Sequence, residues 1–235
     1  MSHTSRLFTV LPLLLVGSWA AVVTADSEGV AALSSKDAGG GLRAALAQGI
    51  DKAVTQLGAH NGFLNDSKVA IPLPKPLDEA DQALRVVGMG EEGDKLRATM
   101  NHAAEQAVVG AGPVFKRALQ RMTLADAKSI LTGGDDAGTQ YFRRATNAEL
   151  TAQFKPIVAR ETAKLQVAAL YDKYAGKAAD LGIIKAHDAH LNDYITDKAL
   201  DGLFSRIADE ERAIRKDPLG QANSLIRSVF GSLVH

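Results

Sequence analysis

Apolar positions recur along most of the chain with the three-to-four-residue spacing of a helix face, and one stretch breaks that period. Leu42, Leu46, Ile50, Ala53, Val54 and Leu57 form a stripe that predicts a helix over 34–57, opened by Ser34 with Asp37 three residues on and ended by Gly58. Gly39, Gly40 and Gly41 are expected to fray its start, each costing about 1 kcal/mol relative to alanine. Further helices are predicted over 77–87, over 94–109 with Leu96, Met100, Ala103 and Ala107 on the stripe, and over 113–122 with Pro113 at the first position. Thr123 and Asp126 make a capping-box start for a short helix closed by Gly133 and Gly134. Residues 136–147 predict the next helix, and a longer one reaching 176 is interrupted early by Pro156. Residues 220–234 close the chain with Leu225, Ile226, Val229 and Phe230.

Between these last two segments, residues 192–218 carry the strongest pattern. Leu200, Leu203, Phe204, Ile207 and Ile214 project into one sector roughly 100° wide. Glu211 projects near the centre of that sector, Glu210 sits just off its edge, and Asp209 points away. A carboxylate on a core-facing stripe must be paired, protonated or bound to something.

The exception to the helical period is 60–77, where Pro72, Pro74 and Pro76 alternate and force an extended path. Phe63, Val69, Ile71 and Leu73 are apolar and need cover, so this stretch is expected to lie packed down as a strap, with Val69, Ala70 and Ile71 offering a short edge strand. No other segment alternates with a period of two. The predicted fold class is all-α: a single-domain multi-helix bundle with one proline-rich extended strap.

The first 25 residues change where this domain is expected to begin. Arg6 precedes an apolar run from Leu7 to Val16, and Val23, Thr24 and Ala25 supply small residues for cleavage before Asp26. The reading is a cleaved signal peptide over 1–25 and a helical domain over 26–235, with a periplasmic or secreted destination and no stable membrane insertion after cleavage. The chain has no cysteine, hence no lipid-anchoring cysteine and no disulfide. Of 27 basic and 27 acidic residues only Arg6 lies in the leader, leaving a slightly acidic remainder that argues against nucleic acid as a partner.

The search for catalytic motifs removes most enzyme classes. Gly88, Gly90 and Gly93 match a dinucleotide fingerprint as a string, but no strand precedes them and Glu91 and Glu92 would face the phosphates; they read as a glycine-rich turn. None of the glutamates has a histidine three residues later, which excludes the paired motif of di-iron bundles. His102 and Glu105 show the reversed spacing once and read as a surface or boundary pair. His187 and His190 are the metal-ligand candidates, in a polar connection where solvated histidines are common. No cofactor is implied.

Glu211 admits three roles: pairing with an arginine, with Arg215 one turn on and Arg144 from another helix as candidates; proton transfer; or recognition of a cationic ligand. Structural pairing is the favoured role. If the residue is catalytic, Asp201 or Glu210 would be its carboxylate companion, with Arg143 or Arg144 holding an anionic group. Arg143, Arg144 and Tyr141 are the candidate ligand-binding residues.

Taken together, Ile71-Pro72-Leu73-Pro74, Met100-Asn101, Tyr141-Phe142-Arg143, and Lys198-Ala199-Leu200-Asp201-Gly202-Leu203-Phe204 running into Ile207-Ala208-Asp209-Glu210-Glu211 carry a resemblance. The chain resembles the bacterial family catalogued as domain of unknown function 4197 over nearly its whole mature length. The resemblance implies an exported, mainly helical protein and brings no activity or catalytic residue with it. Glu211, Asp201 and Arg143 lie on the family-like pattern, and His187 and His190 do not. The leading expectation is a non-enzymatic protein that binds a protein partner or a small ligand. Beside it stand a carboxylate acid/base enzyme using Glu211 with Asp201 or Glu210, and a structural envelope component.

Overall fold

The helices of the computed structural model are α1 (Ser35–Gly58), α2 (Lys75–Val86), α3 (Gly90–Val108), α4 (Gly112–Arg121), α5 (Leu124–Leu131), α6 (Ala137–Lys164), α7 (Leu191–Lys216) and α8 (Ser224–Gly231). The structure describes residues 35–88, 90–164, 166, 169–171, 173 and 191–231, and no strand occurs among them. The leader at 1–25, Ser34, and the histidine pair at 187 and 190 lie outside the described residues. Among the described residues no helix is long and apolar enough to cross a membrane.

The predicted stripe of α7 organises the packing. Ile195, Ala199, Leu200, Leu203, Phe204, Ile207 and Ile214 are all buried, and α7 packs against α6, α1 and α3, while α8 lies on α1. Phe115 of α4 sits between Phe142 of α6 and Phe204 of α7, with edge-on rings at centroid distances of 5.5 and 6.0 Å. Full burial of one such ring contributes about 1.5–3 kcal/mol, so this trio is a principal link among three helices that are distant in sequence. The described residues group into one compact unit.

Three local expectations are corrected. Gly39, Gly40 and Gly41 stay helical. A Cβ on Gly41 would collide with Val229 Cγ2 and lie 2.6 Å from the Leu225 carbonyl oxygen, so the glycine is what lets α8 approach α1. Its poor helix propensity is offset by that contact. Pro156 does not divide α6, which runs unbroken from Ala137 to Lys164. Leu150, Phe154 and Val158 are buried on both sides of it, and their packing outweighs one lost backbone hydrogen bond. The string 88–93 is less a turn than the start of a helix, since α3 begins at Gly90.

The stretch between α1 and α2 carries no strand at Val69–Ile71, and its apolar residues are covered as expected: Phe63, Val69, Ile71 and Leu73 are buried. Its backbone polar groups are met by two side chains one turn apart on α3. Asn101 Oδ1 accepts the Ile71 N–H at 2.8 Å while its Nδ2 donates to the Ile71 carbonyl at 2.9 Å. Glu105 accepts the N–H groups of Asn61 at 3.1 Å and Phe63 at 3.2 Å. A buried loop must find partners for its amides, and here α3 provides them. On the other side, Gly202 of α7 leaves room for Phe63 and Val69, which a Cβ there would meet at 2.7 and 3.2 Å. The Tyr194 hydroxyl donates to the Pro72 carbonyl at 3.1 Å.

Candidate functional site

Glu211 is 5% exposed, and its carboxylate has two sets of partners. Oε1 accepts the Gly138 N–H at 2.9 Å, and Oε2 accepts the Thr139 N–H and hydroxyl, both at 2.8 Å. These are amides of the first turn of α6, which no residue within the helix can satisfy, and a negative charge there is also favoured by the helix dipole. Arg215, one turn along α7, donates to Oε1 through Nη2 at 2.9 Å and Nε at 3.2 Å. The same Nη2 donates to the Ile130 carbonyl near the end of α5 at 2.9 Å, and the guanidinium lies over the Phe230 ring at 5.4 Å. One ion pair on α7 thereby ties the end of α5 and the start of α6 to the bundle. Beside it lies an apolar void of about 10 Å³, lined in part by Ala45, Leu46, Ile207, Ile214 and Phe230. That void is about one water in size.

The two segments held by this pair form the walls of an open cleft of about 310 Å³. Asp126, Ser129, Ile130, Gly133 and Gly134 line it from the α5 side, and Asp136, Ala137, Gln140, Tyr141 and Arg144 from the α6 side. The 136, 140, 144 and 137, 141 spacings put these residues on one face of α6. On the opposite wall Thr123 and Asp126 form the expected capping box: the Thr123 hydroxyl accepts the Asp126 N–H at 3.1 Å, and Asp126 Oδ2 accepts the Thr123 N–H at 2.9 Å. The hydroxyl and amide of Thr123 hold the Asp126 carboxyl below its ordinary range. Burial, assisted by Asp126, pushes the Tyr141 phenol up, so it is a neutral donor, and its hydroxyl lies 3.4 Å from the Ala118 carbonyl oxygen. Arg144 is exposed and makes no hydrogen bond or ion pair among the described residues. Its charge acts on the Asp126 carboxylate and helps hold that group down, and its guanidinium donors are not used by a hydrogen bond.

The other candidates are placed elsewhere. Asp201 is exposed on α7 and accepts from Arg143 Nη1 at 3.0 Å, and the Arg143 guanidinium also lies 4.6 Å above the Phe204 ring. Glu210 pairs with Lys52 of α1 at 2.6 Å. Neither Asp201 nor Glu210 shares a partner with Glu211. Of the two arginines considered for Glu211, Arg215 pairs with it and Arg144 faces the cleft. The structure therefore brings Tyr141 and Arg144 together and separates the carboxylates. Asp136 and Gln140 were not singled out in the sequence, although the i, i+4, i+8 row they form with Arg144 was there to be seen; the α5 wall had no comparable signal.

No curated protein and no solved structure matches the chain. One family model does match, over residues 32–231, and its description is a protein of unknown function. With that span covering nearly all of the helical unit, the chain belongs to the DUF4197 family.

Proposed function

We propose that this is an exported, non-enzymatic protein that binds a small ligand, and that the α5–α6 cleft is the binding site. The observation that carries the reading is a cleft of about 310 Å³ in which the exposed Arg144, which donates no hydrogen bond among the described residues, stands with the carboxylates of Asp126 and Asp136. That volume is at the lower end of the roughly 300–1,000 Å³ of small-molecule sites. A guanidinium in such a place selects a carboxylate or phosphate oxygen, which it can hold with two parallel N–H donors. The neutral Tyr141 phenol and the Gln140 amide add hydrogen-bonding groups, and Asp136 and Asp126 favour a ligand that also carries a donor or cationic group. The ligand class is a small, polar zwitterion, whose anionic end meets Arg144 and whose cationic end meets Asp126 and Asp136.

The position of the carboxylates supports binding over acid/base catalysis. Both oxygens of Glu211 are engaged, and Asp201 and Glu210 have cationic partners on other faces. Export is supported by the leader-like sequence of residues 1–25.

Native mass spectrometry on the protein recovered from its own periplasm tests the proposal. The expected spectrum shows a non-covalent small-molecule adduct that Arg144→Ala loses at least tenfold in occupancy while its melting temperature stays within about 2 °C, as for an exposed side chain. Recovery of the protein from the cytoplasm with its first 25 residues intact would overturn the export reading. An adduct-free wild-type protein that also fails to saturate with zwitterionic amino acids by calorimetry would overturn the binding site.

A further inference from the structure

His60 lies in the turn after α1, while His102 and Glu105 stand three residues apart on one face of α3. One donor atom from each lies within 4.8 Å of the other two. We propose that His60, His102 and Glu105 form a binding site for a divalent transition-metal ion of the Zn²⁺ type, with two imidazoles and one carboxylate as protein ligands. This site is separate from the α5–α6 cleft and shares no residue with it.

The donor set suits such an ion. Imidazole is a good ligand for zinc, copper and nickel, and a single carboxylate offsets half the charge of the metal. Three protein donors also leave a coordination position open, which the exposure of His60 directs to solvent.

The partners behind the donors are arranged as those of metal ligands are. Glu105 is 2% exposed and is oriented by two backbone donors, the Asn61 N–H on Oε2 and the Phe63 N–H on Oε1. Each carboxylate oxygen retains a second lone pair for an ion. His102 Nε2 lies 2.9 Å from Asn61 Oδ1. An amide oxygen only accepts, so Nε2 carries the proton and the other ring nitrogen keeps the lone pair. A ligating histidine is usually fixed in this way, by donating its other N–H to a carbonyl. Asn61 serves both ligands at once, through its main chain to Glu105 and its side chain to His102. It does so from a left-handed backbone conformation, φ 62°, which asparagine adopts more readily than most residues other than glycine.

The remaining motion required is small. Zinc bonds of about 2.0–2.1 Å place tetrahedral donors roughly 3.4 Å apart. His102 and Glu105 are anchored, and His60, exposed on a turn with its ring centroid 5.0 Å from that of His102, closes the distance by side-chain rotation.

The test is isothermal titration of the tag-free mature chain with Zn²⁺ at neutral pH, with Co²⁺ absorption as a readout of coordination. One equivalent is expected to bind. His60→Ala and His102→Ala are each expected to weaken binding at least tenfold, since losing even an outer partner of a ligand costs about 10–100-fold. The double variant His187→Ala/His190→Ala is expected to leave it unchanged. His60 is exposed, so its removal reports on the ion rather than on folding. Absence of saturable binding, full binding in His60→Ala, or loss of binding in the 187/190 double variant would each overturn the site.

Discussion

Replacing Glu211 by alanine tests how the bundle holds its cleft. The substitution removes the acceptor for the Gly138 and Thr139 amides and the Thr139 hydroxyl, and leaves Arg215 with only the Ile130 carbonyl and the face of Phe230. Two amides left without partners cost about 1–3 kcal/mol each. Breaking a buried ion pair from one side costs about 3–5 kcal/mol in total. The two figures describe overlapping losses of similar size, so the ion-pair figure is used alone. For a domain of this size each kcal/mol lowers the melting temperature by about 2–4 °C, which gives a drop of about 6–20 °C. Differential scanning calorimetry measures it. A melting temperature within about 2 °C of wild type would refute the reasoning.

The comparison with Arg215→Ala separates the two roles of Glu211. Without Arg215 the carboxylate still holds three donors of α6, so that variant is expected to lose only about 1–3 kcal/mol. If it proved as costly as Glu211→Ala, the ion pair rather than the α6 amides would be the source of the stability.

Two further outcomes follow from the same contacts. Asn101→Ala, at a site 0% exposed, leaves both the N–H and the carbonyl of Ile71 without partners and is expected to cost about 2–4 kcal/mol. Urea denaturation reports the loss, and hydrogen exchange at the Ile71 amide should rise with it. Asp126, held below its ordinary value of 3.8 chiefly by Thr123, contributes stability that is complete above that value and is lost as pH falls through the depressed one. Acid titration of stability for wild type and Asp126→Asn checks this: the variant should show a shallower decline below that value.

Much of the architecture was legible because helices announce themselves by spacing. The α7 stripe, the Thr123–Asp126 capping box and the burial of Phe63, Val69, Ile71 and Leu73 all depend on residues close together in the chain. So did the anomaly of a carboxylate on a core face. Gly41 and Pro156 were misread because local propensity is a small term, and it was outweighed by packing against α8 and by the buried residues flanking Pro156.

The sequence by itself determined that Glu211 must have a partner, and it named Arg215 as one of two arginines in reach. Only the tertiary structure decided that its other partners are the amides at 138 and 139, some 72 residues away. A backbone N–H looks the same at every position, so no residue type marks it in advance. The juxtaposition of His60 with His102 and Glu105 is of the same kind, because a turn and a helix 42 residues apart meet only through packing. Periodicity identifies which face of a helix is buried; it contains no information about what lies opposite that face, and that is where both the cleft and the histidine cluster are made.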